Sequence, residues 1–368
     1  MSPDNKERFQ NQLLGHLDFL NQFCIAKQKN NLHHAYLLHG SIGIGKSFLA
    51  RQLAAYLLED NEQGRLPENS SRLSEAEYAL SLNHNNSVWR QIFYQSHPDM
   101  VYLSSRKTEQ NKSGQIKVDD IKSIKGITNH LSGRGGWRII IIDSLDETNR
   151  NGANAILKIL EEPSDKTIFF LISHNVSHVI PTIRSRCQQV KLERLHKNET
   201  RLIIENHIHD ISDEKIDHLV HLCEGSPGMA LFIYETGVEA YFQELNTELQ
   251  QSKTGLENII KLATKWGSEV SKKPEGYYST NFIFDKLFSE AALVAVKGNS
   301  HNSYLKETIP TAISNMVITL AQNYTAEELI NLHQYWQREF HAVQTNFLDM
   351  GNFLQQTFYK IYSQIHAR

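Results

Sequence analysis

The chain has 368 residues, which is too long for one ordinary hydrophobic core and predicts two or three domains. Its formal net charge of −3 gives no overall basic field, so any contact with DNA would have to come from a local patch or from a larger assembly. The three cysteines lie far apart at positions 24, 187 and 223, which excludes both a disulfide framework and a four-cysteine zinc site.

The sequence gives no sign of a targeting or membrane-spanning segment. The first eight residues are polar, and no run approaches the roughly 18 consecutive apolar residues of a membrane span. We therefore expect a cytoplasmic protein without membrane contacts.

A glycine-rich loop follows the first predicted strand. The apolar run Ala35–Leu38 is typical of a buried strand, and residues 47–58 have a helical pattern. Between them, Gly40–Ser47 reads Gly-Ser-Ile-Gly-Ile-Gly-Lys-Ser and matches the phosphate-binding pattern G-x-x-x-x-G-K-[ST] at every required position. The alternative is a glycine-rich turn that binds nothing.

The residue types in this loop suit the phosphates of ATP. Gly43 and Gly45 have no Cβ, so the backbone can turn tightly and aim its N–H groups at phosphate oxygens. Lys46 would reach the β- and γ-phosphates, and the Ser47 hydroxyl would bind Mg²⁺. The predicted nucleotide-binding residues are Gly40, Gly43, Ile44, Gly45, Lys46, Ser47 and Asp143.

The rest of the first half alternates apolar runs with helical stretches, which predicts a parallel sheet flanked by helices. A polar segment with two short helices is expected at about 60–95, a charged loop at 106–114, and helices from 119 or 120 to 131 and from 149 to 162. The expected strands cover residues 100–103, 137–143, 168–173 and 188–192. Four consecutive isoleucines in the second of these predict a strand that is buried on both faces.

That isoleucine strand ends at an acid. Asp143 is placed to hold the Mg²⁺ shell together with Ser47, the alternative being an aspartate that caps the following turn. The next residue, Ser144, stands where a working AAA+-type ATPase has a glutamate, and serine is a poor general base. Asp146 and Glu147 remain as alternative bases, although they lie beyond the strand end.

From about residue 194 the pattern becomes helical. Asn198 or Thr200 is expected to cap one helix, and Ser212 with Glu214 to open the next. Further along, Thr325-x-x-Glu328 is a capping box. Apolar residues spaced by three or four follow it to the end of the chain, which is more typical of helix packing than of a ligand site.

Three segments together resemble the delta-prime family of bacterial DNA polymerase III clamp-loader subunits. They are Leu32–Gly40 before the loop, Asn154–Pro163 after the Asp143 strand, and Ile183–Cys187, which contains the triplet Ser-Arg-Cys. The similarity is dense from about Leu14 to Leu192. Beyond that point it rests on the order of elements and on their helical character.

The resemblance implies a fold and a domain plan. It implies an α/β AAA+ P-loop domain with a parallel sheet over residues 1–193, a small helical lid over 194–236, and an all-α collar domain over 237–368. In this family the collar domains join the subunits into a ring. The implied partners are the gamma/tau and delta subunits and, through the complex, the sliding clamp and primed-template DNA.

The resemblance also implies a role for Arg186 as an arginine finger acting in trans. A guanidinium beside the γ-phosphate of a neighbouring subunit's ATP offsets charge in the transition state. Taken alone, the residue would read as a surface ion pair. The implied function is a subunit of the DNA polymerase III holoenzyme, not itself the polymerase, that helps load the clamp and has negligible ATPase activity of its own.

Three features depart from the relatives. The four-cysteine zinc module found in many of them has no counterpart in residues 60–95, so no zinc is expected. Gly225–Leu231 offers no arginine to sense a γ-phosphate, unlike the motor subunits. The phosphate-binding loop is intact, whereas many delta-prime proteins have a damaged one, so nucleotide binding remains possible.

Other functions remain open. An active AAA+ motor, such as gamma/tau or a helicase loader, would need catalytic groups at Ser144 and Met229, and a small-molecule kinase would not need the long helical C-terminal third. The basic residues of the charged loop are Arg106, Lys107, Lys112 and Lys117. They could approach DNA, but a solvated face is the better interpretation.

Overall fold

The chain forms two units, which we describe separately. In this computed structural model the described residues are 14–63, 79, 82, 85–104, 116, 121, 124, 136–251, 255–272, 274–298, 305, 309–346 and 348–366. The first unit comprises Met1–His209 with Gly225–Gly228, and the second comprises Asp210–Glu224 with Met229–Arg368. This division does not coincide with the boundaries expected at 193/194 and 236/237, and the three-domain plan stays a prediction.

A parallel sheet of five strands forms the centre of the first unit. Its strands are β1 (Ala35–His39), β2 (Met100–Ser104), β3 (Arg138–Asp143), β4 (Thr167–Ser173) and β5 (Gln188–Lys191), in the spatial order β2-β3-β4-β1-β5. All the pairings are parallel. Their carboxyl ends therefore meet at one edge, where Asp143 pairs in register with Ser104, and His39 with Ser173.

Both faces of this sheet are buried, as the isoleucine run predicts. Ile139 and Ile141 join the apolar cluster on one face, and Ile140 and Ile142 join the cluster on the other. This alternation follows from the two-residue period of a strand. Helices cover the sheet: α1 (Leu17–Gln28), α2 (Lys46–Gln63), α3 (Ser87–Phe93), α4 (Arg150–Glu161), α5 (Pro181–Arg184) and α6 (Lys197–His207).

Helices are the regular elements of the second unit in its described residues. Its helices are α7 (Asp213–Cys223), α8 (Pro227–Thr236), α9 (Val238–Leu249), α10 (Gly255–Lys272), α11 (Pro274–Lys297), α12 (Thr311–Asn323), α13 (Ala326–Asn346) and α14 (Met350–His366), with the first two residues of α8 counted in the first unit. Aromatic rings dominate its core. Trp336 stacks on Phe284 with 4.1 Å between ring centroids, and Trp266 packs against Phe242, Phe284 and Phe358.

The predicted strands agree closely with these bounds, whereas the helix expected at 47–58 extends to Gln63. The five strands are confirmed to within one residue at each end. The capping box is confirmed, because Thr325 N–H donates to Glu328 Oε2 over 2.7 Å and Glu328 N–H donates to Thr325 Oγ1 over 3.2 Å. Ser212 accepts from the N–H of Lys215, as expected for a cap.

One cap prediction is wrong. Helix α6 begins at Lys197 with His196 as its N-cap, because the Glu199 side chain accepts from the His196 N–H over 2.9 Å. Asn198 and Thr200 therefore lie inside the helix. The charged loop at 106–114, the more distant Lys117, and all of the helix expected up to 131 except Ile121 and Ile124 lie outside the described residues. Within the described part of the chain, no helix combines the length and apolar character that crossing a membrane requires.

Candidate nucleotide site

The glycine-rich loop joins the end of β1 to the start of α2. Gly40, Gly43 and Gly45 have φ angles of 148°, 78° and 93°, which residues with a side chain rarely adopt. A Cβ on Gly40 would also come within 2.4 Å of the carbonyl oxygen of Leu192. The glycines are therefore required by this backbone shape, as the motif predicts.

The lysine of the motif is held inside the curve of the loop. Its side chain is 3% exposed, and Nζ donates hydrogen bonds to the carbonyl oxygens of Gly40 and Ser41 over 2.7 Å and 2.6 Å. A compact cation at the N-terminus of α2 adds to the positive end of the helix dipole. This arrangement suits the negative charge of a polyphosphate.

The two residues expected to hold Mg²⁺ are brought together, with a third residue between them. Asp143, which is buried, accepts a hydrogen bond from the Tyr102 hydroxyl over 2.7 Å. The same hydroxyl lies 3.1 Å from Ser47 Oγ. Since the proton of Tyr102 goes to Asp143, Ser47 is the donor in the second bond. Polar contacts thus connect the loop to the end of β3.

Tyr102 is held by its neighbours. It lies on β2 opposite Ile141, two residues before the Ser104–Asp143 pair, so its ring is on the same sheet face as Asp143. The guanidinium carbon of Arg51 on α2 lies 4.6 Å from the ring centroid of Tyr102 and 5.7 Å from that of Phe93. Cation–π attraction of this kind restricts the ring's movement.

The residue after Asp143 is not placed for base catalysis. Ser144 is fully buried in a left-handed conformation with φ 65°, and its Oγ lies 3.2 Å from Nε2 of His174. Asp146, one of the alternative bases, accepts hydrogen bonds from the backbone N–H groups of His174 and Asn175, the shortest over 2.8 Å. That carboxylate therefore fixes the loop that follows β4.

Arg186 lies at the surface just beyond the short helix α5. Its Nη2 lies 2.8 Å from Oε1 of Glu161 at the end of α4, and Nη1 donates to the carbonyl oxygen of Thr182 over 3.0 Å. The side chain is 38% exposed. In the chain by itself the residue thus forms a surface ion pair, which contributes only about 0–1 kcal/mol, and its role as a finger stays a prediction.

The turn at residues 225–228 contacts the phosphate-binding loop. Gly228 N–H donates to the carbonyl oxygen of Gly43 over 2.8 Å, and Leu195 N–H donates to that of Gly225 over 2.9 Å. A Cβ on Gly228 would lie 2.9 Å from the Cα of Gly43. The turn and the loop are therefore in backbone contact.

Two histidines border the loop. Nε2 of His16 lies 2.8 Å from the carbonyl oxygen of Ile44, so this nitrogen carries the proton. Burial lowers the pKa of His16, and burial followed by the nearby Lys191 and Lys46 charges lowers that of His39. Both rings are thus favoured in the neutral form. Across the described ranges, no three His, Cys, Asp or Glu side chains cluster as a metal site would require.

Sequence reasoning did not identify Tyr102, His16 or the Gly228 contact. Each joins segments that are distant in the sequence: 41 residues separate Tyr102 from Asp143, and 28 separate His16 from Ile44. The sequence offered one signal: Tyr102 lies close to the end of one predicted strand, and Asp143 ends another.

The loop between β1 and α2, the acid at the end of β3 and the strand order β2-β3-β4-β1-β5 define a P-loop module of the AAA+ class. Residues 15–196 match the family model described as DNA polymerase III, delta subunit. The chain belongs to this family of DNA polymerase III subunits.

Individual relatives agree with this assignment. The chain is 30% identical to DNA polymerase III subunit delta' of Pseudomonas aeruginosa over 242 residues, which cover 64% of this chain and 66% of the relative. It is 25% identical to subunit tau of Escherichia coli over 235 residues, covering 61% of this chain and 32% of the relative. The matches thus span just under two thirds of the first relative and one third of the second.

Among solved structures, a DNA polymerase III gamma subunit-related protein of Thermotoga maritima is similar with a TM-score of 0.42 and 16% identity. The alignment covers 95% of this chain and 99% of that one.

Proposed function

We propose that this protein is a subunit of the DNA polymerase III clamp loader, which helps to place the sliding clamp on primed DNA. Its partners would be the gamma/tau and delta subunits and, through the complex, the clamp and the DNA. The observation that carries the proposal is the match of residues 15–196 to the family model, joined by relatives named as delta' and tau subunits. Such a role would place the protein in the cytoplasm.

The contribution of this subunit would be Arg186, acting on ATP bound by a neighbouring motor subunit. The side chain is partly exposed at the end of a short helix, where an exposed carboxylate and one backbone carbonyl oxygen hold it. Because exposed ion pairs are weak, the guanidinium can leave Glu161 for a triphosphate at little cost. A planar fork of donors suits a γ-phosphate better than a lysine would.

The protein's own P-loop would bind nucleotide but hydrolyse it slowly at most. The loop has the shape and charge for phosphates, and Ser47 and Asp143 are the two residues that the sequence assigns to Mg²⁺. The position after Asp143 carries a buried serine, and Asp146 is bonded to backbone amides. Serine is a poor general base, and the amide bonds hold the Asp146 carboxylate at the loop after β4.

The test is reconstitution of the complex with substitutions at Arg186. Arg186→Ala should lower the DNA- and clamp-stimulated ATPase rate by about tenfold or more, since arginine fingers contribute strongly to such steps. Arg186→Lys should restore little, because lysine lacks the fork. Arg201→Ala is the matched control, since Arg201 forms a similar 2.7 Å surface pair with Glu205. An unchanged rate in the Arg186→Ala complex would exclude the finger.

A second candidate, an active motor subunit, is favoured by the intact loop alone. It predicts ATP turnover by the isolated protein that is lost on Lys46→Ala. Negligible phosphate release by the purified chain, at ATP concentrations where binding is measured, would exclude it.

A further inference from the structure

We infer that Tyr102 is a further residue of the nucleotide site, and that its hydroxyl lies between Ser47 and Asp143 so that nucleotide binds here with little dependence on Mg²⁺. This inference rests on the proposed nucleotide site. It concerns the metal requirement of that site and not the trans role of Arg186.

Two consecutive hydrogen bonds connect Ser47 through Tyr102 to Asp143, and we call this chain of bonds the relay. Ser47 Oγ donates to the Tyr102 hydroxyl over 3.1 Å, and that hydroxyl donates to Asp143 Oδ2 over 2.7 Å. The second bond is short and ends on a buried carboxylate, which makes it one of the stronger kinds of hydrogen bond. The serine proton is therefore directed to the tyrosine, and one oxygen of the aspartate is satisfied by it.

Mg²⁺ would have to compete with this relay. The ion demands near-octahedral oxygen ligands at about 2.1 Å and gives up its water reluctantly. A cation held by Ser47 and Asp143 would need the space that the Tyr102 hydroxyl occupies. It would also need Oδ2 of Asp143, to which that hydroxyl donates its hydrogen bond. Admitting it breaks two hydrogen bonds, each with a net value of about 0.5–1.5 kcal/mol and more where a charge takes part.

The tyrosine cannot move aside freely. Its backbone is fixed by the β2–β3 register, and the Arg51 guanidinium lies 4.6 Å from the ring centroid. Rotating the ring away would disrupt this contact as well as the bond to Asp143. The phosphates of a nucleotide would still meet Lys46 and the N–H groups of the loop, and those contacts do not require a metal.

The experiment measures the affinity of the full-length protein for ATP by calorimetry, with Mg²⁺ in excess or with EDTA. For the wild-type protein the two dissociation constants should agree within about threefold, a difference below 1 kcal/mol. Tyr102→Phe removes only the hydroxyl, and should make the affinity in Mg²⁺ about tenfold higher than in EDTA. Thermal unfolding of each variant establishes that it is folded.

Tyr36→Phe is the matched control. Tyr36 is a buried tyrosine near the amino end of β1, and its hydroxyl accepts from the His33 N–H over 3.1 Å. This variant should respond to Mg²⁺ as the wild-type protein does.

The outcomes separate the two proposals. A wild-type affinity that rises tenfold or more with Mg²⁺, or a Tyr102→Phe variant that behaves like the wild-type protein, overturns the inference and leaves the clamp-loader function standing. Absence of ATP binding under both conditions overturns the inference too. The clamp-loader function fails separately, if the protein neither assembles with its partner subunits nor supports their ATPase activity.

Discussion

The two units of this protein place their polar side chains in different ways. In the first unit, buried polar groups such as Lys46 and Asp143 converge at the carboxyl edge of a parallel sheet. In the second unit, the acidic and basic side chains with ion pairs are mostly at the helix surfaces, as in Lys261–Glu257 and Lys272–Glu269. The difference agrees with the proposal that nucleotide binds to the first unit.

The hydrophobic cores of the two units also differ in the type of side chain that fills them. Branched aliphatic side chains fill both faces of the sheet, where strands leave narrow and regular gaps. Large rings fill the spaces between the helices of the second unit, where Trp336 contacts Phe284, Phe340 and Phe353. Ring burial provides much apolar area per residue, so stability there depends on a few side chains.

The largest expected effect is that of replacing Trp336, which tests whether the stability of the second unit depends on a few aromatic side chains. Trp336→Ala should lower the free energy of unfolding of the second unit by about 3–5 kcal/mol, because it removes a fully buried indole and leaves a cavity. Denaturant unfolding followed by hydrogen exchange measures this, with the half-exposed Tyr359→Ala as control. ATP affinity at low denaturant should stay unchanged. An equal loss of protection in the sheet would show that the two units unfold as one.

Lowering the pH should reduce the stability of the first unit. Burial is the leading cause that lowers the pKa of His16, His34, His39 and His207, all in that unit. The unfolded chain, with histidines near pKa 6.5, then binds more protons than the folded one, so stability falls as pH drops below about 6.5. Amide exchange in the sheet, compared at pH 7.5 and 5.5, measures the loss; greater stability at the lower pH would contradict it.

The smallest expected effect concerns the Arg186–Glu161 pair. Glu161→Gln removes one charge from an exposed pair and should change the free energy of unfolding by less than about 1 kcal/mol. Glu205→Gln, which breaks the similar Arg201 pair, is the control. Urea unfolding of both variants makes the comparison. A loss above about 2 kcal/mol specific to Glu161→Gln would mean that the pair is structural and that Arg186 is not readily released.

Local patterns in the sequence are sufficient to predict much of this molecule. The loop, the strand before it and Asp143 at the end of the isoleucine strand follow from spacing and hydrophobicity within a few residues. Tyr102 could not be predicted in this way, because its role depends on β2 lying beside β3 in the sheet. The hydrogen bonds of Asp146 depend likewise on the loop after β4.

For the second unit, the sequence predicts the helices but not their packing. Periodicity predicts its helices and the capping box at Thr325, but it does not predict which helices pair. The stacking of Trp336 on Phe284 joins residues that are 52 positions apart in the chain, a pairing that comes from the fold and not from local spacing. The family model also ends at residue 196, so resemblance adds little there.

The contact of Gly228 with Gly43 limits how this chain could acquire a motor's machinery. An arginine placed within the 225–228 turn would meet a steric barrier at Gly228, where even one added carbon would lie 2.9 Å from the Cα of Gly43. The backbone of the turn would have to shift away from the loop first. An arginine at Gly228 would therefore require the remodelling of a main-chain junction, and not merely the exchange of one side chain.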